Sequence, residues 1–442
     1  MVPQIDSFLP DDEFPTETSV VIIGGGIVGV SAALYLSLAN IPVLLCEKGV
    51  IGGEQSGRNQ GWVRVTNRDP REIPLALKSL ELWREINELV QCETGFRQAG
   101  TLYATYSDEA LSGRDAWLSI AKDFGVHPNV LNGTAVRQFV PNSTATFAGA
   151  VHNPNDGRAE PQLAAPAIAR GAQRYGAKIF TGCAALDVDR KGGRVAGIRT
   201  ERGYVKCDSV VLAGGAWSGL FARSLGLRLP QLKIHSSVMQ ITAVPNGPEI
   251  NFSTPNYLLR KRIDGGYTLA ASENHAADVV PDSFRYFSEF LPILRRRWNS
   301  LPVRFGHPFF RELSHNQWRP SKESSPYENI RTLDPPPRKA QNIEAKKKLD
   351  IDFPVFKNAQ IQQHWAGYVD VMPDEIPVIS SVEEIPGLIV ATGFSGHGFG
   401  VGPGAGKLIA DLVQNKAPIV DPTPFRFSRY EDGTWRRSPN YR

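Results

Sequence analysis

Cysteine is scarce in this 442-residue chain, and Cys46, Cys92, Cys183 and Cys207 stand far apart with no C-x-x-C pair. That spacing excludes a zinc ribbon and a secreted disulfide framework. An excess of one charge is also missing. The 49 basic and 45 acidic residues leave a formal +4, too little to argue for a polyanionic partner. Two basic runs, 295–297 and 346–348, lack the interleaved aromatic residues of a nucleic-acid platform. Both read as a solvated helix face or loop. The histidines show no metal-ligand spacing, so no metal site is expected. No G-x-S-x-G occurs, which leaves the serine-hydrolase class without support. The opening residues MVPQIDSFLPDDEFPTE are acidic and proline-broken, unlike a secretory signal or a basic transit peptide. A cytoplasmic location is the default expectation.

What remains is a globular composition. With 41% apolar and 21% charged residues the chain is too hydrophobic for disorder. Its length exceeds the usual limit for one core, so two domains are expected. The uncharged run from Val20 to Ala39 is long enough to span a bilayer. Its β-branched start, glycine cluster and alanine-rich continuation read instead as strand, turn and helix, so no transmembrane segment is expected.

That run carries the strongest local signal. Ser19 to Ile23 suits a strand buried on both faces. Gly24, Gly26 and Gly29 complete G-x-G-x-x-G, with Ile27 and Val28 inside the motif and a helix continuing to Ala39. Gly24 permits the tight turn, Gly26 lets backbone approach a pyrophosphate, and Gly29 lets helix and strand pack closely. Unpaired N–H groups at the helix start favour phosphate. Ile41 to Cys46 reads as a second strand, with Glu47 and Lys48 at its end. Glu47 lies 23 residues after Gly24 (47 − 24), where a carboxylate can accept ribose hydroxyls. The motif alone does not separate NAD from FAD. Gly406-Lys407 resembles the end of a P-loop, but Leu408 replaces the Ser/Thr and Val401 the first glycine.

Three further stretches decide between them. The first runs Gly52-Gly53-Glu54-Gln55-Ser56-Gly57-Arg58-Asn59-Gln60-Gly61-Trp62-Val63-Arg64. The second, Lys206 to Ser218, carries Gly214, Gly215 and Trp217, after Ala185 in an expected strand over 178–188. The third runs from Gly387 to Gly400 through Gly393, Gly396, His397, Gly398 and Phe399, with a helix expected from Pro403 to Leu412. His364-Trp365-Ala366-Gly367 and Pro373-Asp374 precede it. In this order, over residues 19 to about 420, the chain resembles the D-amino-acid oxidase superfamily of flavoproteins. It is most similar in look to the sarcosine oxidase β-subunit type and to amino-acid dehydrogenases.

The resemblance implies an α/β fold: a Rossmann-type FAD-binding domain of the glutathione-reductase kind, and a second α+β substrate domain on a mixed or antiparallel sheet. It implies FAD as cofactor, with the Gly-Arg-Asn stretch beneath the flavin and a backbone group near Ala185 holding adenine. It implies an oxidoreductase that passes a hydride from an amine-bearing carbon to flavin N5, leaving an imine that water hydrolyses, with O2 or another acceptor reoxidising the flavin. Departures are as informative. Monomeric sarcosine oxidases attach flavin through a cysteine where this chain has Gly367, so non-covalent FAD is expected. Gly400 stands where they use a carboxylate-binding lysine, and Thr268 where they carry an oxygen-activating one.

Four residues are candidates for chemistry. Arg64 aligns with the family arginine that pairs with a substrate carboxylate, a bidentate match for guanidinium; the alternative is a structural ion pair. His397, in the glycine turn, is read as a donor to the flavin or an aid in removing the amine proton, against a simple turn cap. His364 beside Trp365 and Tyr257 before the strand Leu258 to Arg262 complete the set, His364 with packing as the blander reading.

The expected FAD domain is discontinuous, over 16–95, 150–225 and 360–420. The substrate domain takes 96–149 and 226–359, including strands over 231–241 and 257–272, and 421–442 form a tail. Residues 314–350, with a triple proline and the lysine run, read as a solvent-exposed insertion. The alternatives are a cover over the site or a contact with another subunit in a homo- or hetero-oligomer. Two rival functions share the scaffold: oxidation of a hydroxy acid or glycerophosphate, and a flavin-holding subunit of a larger oxidase.

Overall fold

The computed structural model describes residues 3–273, 275–298, 301–318 and 325–437. Met1 and Val2 of the opening stretch, 319–324 of the expected insertion and 438–442 of the tail lie outside the described residues.

The run Val20–Ile23, apolar at every position, forms β1 in the interior of a six-stranded sheet. It pairs in parallel with β2 (Val43–Cys46) on one side and with Ser209–Leu212 on the other. Lys178–Phe180 closes one edge, and Leu388–Thr392 and then the antiparallel Val378–Ser381 close the other. Between β1 and β2 runs α1 (Ile27–Leu38), buried from Ile27 to Ser37. A helix apolar all round needs partners on several sides. Here the helices Pro161–Arg174 and Gly398–Val413 supply them. Among the described residues no helix is long and apolar enough to cross a membrane.

The helix Gly398–Val413 begins five residues before Pro403, where the sequence placed its start. Proline breaks helices by removing an N–H and clashing with the turn before it. Here side chains of a neighbouring helix, Ile73–Val90, make up the hydrogen bonding. The Gly400 carbonyl accepts from Ser79 Oγ and Trp83 Nε1, both at 2.9 Å. The Gly404 N–H donates to Ser79 Oγ at 3.1 Å. The glycines that mimicked a P-loop are helix seats: a Cβ on Gly402 would lie 2.7 Å from Ile27 Cγ1, and one on Gly406 2.5 Å from the Ser31 carbonyl carbon.

A ten-stranded mixed sheet forms the second layer, with Leu232–Ile241 at its centre. That strand pairs antiparallel with Ile361–Val371 along one edge, and with His275–Asp278 and then Tyr267–Ala271 along the other. A buried ion pair ties the two layers. Arg260, on Tyr257–Lys261, meets Glu160, at the head of Pro161–Arg174, through contacts of 2.7 and 3.1 Å.

Three expectations are corrected. The strand expected over 178–188 is two, Lys178–Phe180 and Ala185–Lys191. Gly182 turns at φ +55° between them, and the N–H groups of Gly182 and Cys183 bond the carbonyls of Gly49 and Glu47. The described residues of the 314–350 stretch form no exposed loop. Its helix Lys339–Asp352 packs on the mixed sheet. Nor is Lys346 solvated: it is buried, bonded to Asp350 and to the Phe356 carbonyl. Arg296 and Arg297 pair with Glu375.

Gly406→Ala is expected to destabilise the protein by about 1–3 kcal/mol, the usual cost of overpacking, because the new methyl meets backbone. Denaturant unfolding measures this, and an unchanged midpoint removes the close helix contact from the account.

Candidate active site

The ends of β1, β2, Ser209–Leu212 and Leu388–Thr392 open onto one cavity of ≈ 430 Å³, roofed by the mixed sheet through Val238, Leu258 and Ser272. That volume lies in the range of small-molecule sites. Gly24, Gly26, Ile27 and Val28 line one end. Gly24 has φ +108°, and a Cβ there would lie 2.5 Å from the Ala213 carbonyl oxygen. Gly26, which caps α1, has no side chain to offer the helix start; the Ile27 N–H instead finds Ser56 Oγ at 2.8 Å. Glu47 lines the same end, each carboxylate oxygen accepting one backbone N–H, from Gly25 and Gly49, at 2.7 Å. Burial pushes its carboxyl upward despite those bonds and Lys48.

The loop 52–60 forms the floor. Gln55, Ser56, Arg58, Asn59 and Gln60 all line the cavity. Asn59 braces the loop, its amide donating to the Gln55 and Ser56 carbonyls while its oxygen accepts from the Gly61 N–H. Arg58 donates to the carbonyls of Gly53 and Ala366 and pairs with Asp334 at 2.7 Å. Ala185, Gly214, Gly215 and Trp217 line the far wall. Lys48 sits 4.4 Å over the Trp217 ring and pairs with Glu54 at 2.9 Å.

Over this end folds the stretch 327–334, which the sequence reading left as exposed. Tyr327 and Thr332 line the cavity. Lys48 Nζ donates to the carbonyls of Ile330 and Arg331, and the Leu333 N–H to Glu54.

The opposite end is charged. Arg64, Arg68, Tyr103 and His397 line it, with Gly396, Gly398 and Phe399 alongside. Arg64 donates to the Thr66 carbonyl and forms no ion pair among the described residues. Arg68 is buried; desolvation pushes its guanidinium down to about 10, and Nη1 lies 3.6 Å from Glu72 Oε2. His397 Nδ1 is 2.9 Å from the same oxygen.

Five named residues fall elsewhere. Tyr257 is fully buried away from the cavity, its hydroxyl donating to Asp352 at 2.8 Å; its neighbour Leu258 lines the cavity instead. Successive strand residues face opposite sides, so a slip of one position exchanges core for site. His364 faces the insertion helix, with Nδ1 3.2 Å from the Asn342 amide. Gly61, Gly29 and Gly393 do not line the cavity. Each is a packing position: a Cβ would meet the Ala159 carbonyl oxygen at 2.4 Å, the Gly24 carbonyl oxygen at 2.0 Å and Met372 Cγ at 2.2 Å. Sequence reasoning missed Arg68 and Glu72. Neither sits in a glycine turn or a recognisable motif, and only the start of the helix Ile73–Val90 brings them to His397.

Comparison with known proteins matches the geometry. The family model described as "DAO: FAD dependent oxidoreductase" matches residues 19–412. The L-amino acid deaminase of Proteus myxofaciens, solved with anthranilate, superposes with a TM-score of 0.90 at 31% identity, covering 97% of this chain and 96% of that one. Sarcosine oxidase subunit beta of Rhizobium meliloti is 26% identical over 94% of this chain and 88% of its own length. The 4-methylaminobutanoate oxidase (formaldehyde-forming) of Paenarthrobacter nicotinovorans is 25% identical over 95% of this chain, which spans 46% of that protein.

The residues present fit an FAD. Several buried polar atoms of side chains lining the cavity, Arg58 Nη2, Trp62 Nε1, Arg68 Nη1, His275 Nδ1 and the Tyr327 hydroxyl, have no hydrogen-bond partner among the described residues. Two helices, α1 and Gly398–Val413, begin on its wall, and neither cap residue, Gly26 or His397, bonds the helix start through its own side chain. Gly29→Ala is expected to weaken FAD binding at least about tenfold, some 1.4 kcal/mol, by displacing the first turn. Fluorescence titration of the apoprotein with FAD measures this, and an unchanged Kd rules the turn out as the phosphate cradle.

Proposed function

The chain belongs to the family of FAD-dependent oxidoreductases, and from that premise we propose that it oxidises the carbon–nitrogen bond of a carboxylate-bearing amine, an amino acid or N-substituted amino acid. One observation carries the reading: the cavity is lined by a guanidinium, Arg64, that makes no ion pair with a carboxylate among the described residues, although the Glu72 and Asp156 carboxylates feel its charge. A guanidinium lining a cavity suits a bidentate carboxylate from a ligand. The relatives' names support the same class, being those of an amino acid deaminase and of oxidases of N-methylated amino acids.

FAD, when bound, supplies an acceptor for the electron pair of the carbon–hydrogen bond. The chain's own residues do the rest. Gly24, Gly26, Ile27 and Val28 would hold its phosphates, Glu47 its ribose, and the stretch 55–60 its ring, all of them lining the cavity. Arg64 anchors the substrate carboxylate, and Trp62, Val238 and Leu258 give an apolar wall to the remainder. Burial of this end removes competing water, which strengthens the charge pairing. The imine product leaves to be hydrolysed.

We also read the six-stranded sheet, drawn from segments within 16–95, 150–225 and 360–420, as the core of the FAD domain. The mixed sheet, drawn mainly from 96–149 and 226–359, serves as the substrate domain, with Ile361–Val371 hydrogen-bonded to it.

Arg64→Ala is expected to retain FAD while raising KM at least about tenfold, about 1.4 kcal/mol. Anaerobic mixing with D- and L-amino acids and N-methyl amino acids, followed by flavin bleaching, identifies the substrate. A protein that keeps its flavin yet bleaches with none of them sinks the reading.

A further inference from the structure

Two side chains that no motif singles out stand behind His397. Glu72 is fully buried, and its Oε2 lies 2.9 Å from His397 Nδ1 and 3.6 Å from Arg68 Nη1. Burial alone would raise this carboxyl, but His397 and Arg68 outweigh it and hold it at about 2. An ionised carboxylate only accepts hydrogen bonds, so Nδ1 carries the hydrogen. Burial, then the positive charge of Arg68, lowers His397 below the ordinary histidine value, with Glu72 opposing and Arg64 adding to the shift. At neutral pH the ring is therefore uncharged. A neutral imidazole protonated on Nδ1 keeps its lone pair on Nε2. The His397 side chain lines the cavity, is 24% exposed, and makes its one ring hydrogen bond among the described residues through Nδ1.

We propose that His397 Nε2 takes the proton of the substrate ammonium, and that Glu72 is the positioning residue that holds the ring in the tautomer able to do so. This deepens the amine-oxidation reading and rests on it. In the step, an N–H bond of the ammonium breaks, its electron pair stays on nitrogen, and an Nε2–H bond forms. The new imidazolium lies against the Glu72 carboxylate. The free pair on nitrogen is what later stabilises the carbon as it loses hydride. Arg64 stands on the same wall, so both charges of an amino-acid zwitterion meet a complementary group. The charged groups facing His397 are Glu72, Arg68 and Arg64, with the Tyr103 hydroxyl near the two arginines.

The test is Glu72→Gln in the holoenzyme. The amide oxygen can still accept from Nδ1–H, but it carries no charge to hold the ring as firmly or to balance the imidazolium that the step creates. At pH 7 kcat/KM is expected to fall about 100-fold or more, the lower range for a general base. The deficit should shrink as pH rises past the pKa of the free amine, because the substrate then arrives neutral. In the wild type, kcat/KM should hold above the lowered His397 pKa and fall as pH drops through it. A deficit that is constant with pH, or no deficit, overturns the inference. The 15N spectrum of histidine-labelled wild-type protein gives a second reading that needs no variant. Hydrogen on His397 Nδ1 supports the proposal, and hydrogen on Nε2 overturns it. A wild type that oxidises no amine sinks the functional reading and this inference together; active wild type with an equally active Glu72→Gln sinks this inference alone.

Discussion

The cavity exists because backbone segments far apart in sequence come within contact distance of one another, and side chains are excluded where they meet. The carbonyl of Ala213 lies where a Cβ of Gly24 would stand, and the carbonyl of Gly24 where a Cβ of Gly29 would stand. The first approach joins two parallel strands at their ends; the second seats the start of α1 on the turn that precedes it. Because interiors are packed without slack, an added methyl at either place moves the turn and not a neighbour's rotamer. The partial positive charge of the helix start is aimed into the cavity by this close fit. The seating of the helix start and the stability of the sheet edge thus rest on the same few contacts.

Charge inside the cavity is arranged unevenly. At the nucleotide end each cation has an anion: Lys48 has Glu54, and Arg58 has Asp334. At the other end Arg64 and Arg68 share the neighbourhood of Glu72, and only Arg68 approaches it. Buried charge is costly when unpaired. The proposed carboxylate ligand would bring to Arg64 the close ion pair that no described residue supplies, and the apolar residues lining the cavity would strengthen that attraction.

How much of this could be read from sequence depends on the type of signal. The order strand, glycine turn, helix, strand survives in β1, α1 and β2 because period and turn chemistry are local. So does the convergence of the stretches around 24–29, 52–60, 214–217 and 396–399 on one cavity. What failed was register and long-range cover. Tyr257 and Leu258 differ by one position and face opposite sides. The helix Gly398–Val413 runs through Pro403 because Ser79 and Trp83, more than 300 residues earlier, supply hydrogen bonds no local rule contains. Lys346 looks like a solvated lysine until Asp350 and the Phe356 carbonyl are placed beside it. Glu72 and Arg68 carry no spacing signature at all, since their partner lies across the fold.

The cover formed by 327–334 has a consequence for how the chain comes into being. Lys48 bonds a carbonyl 283 positions later, and Arg58 a carboxylate 276 positions later. Translation delivers the glycine turn at 24–29 long before the cover at 327–334 emerges. Until then the apolar side chains around that turn lack their cover and are open to chaperones or to misassociation. Trimming or stiffening residues near 330 thus acts upon residue 48, and on maturation yield as much as on the finished enzyme.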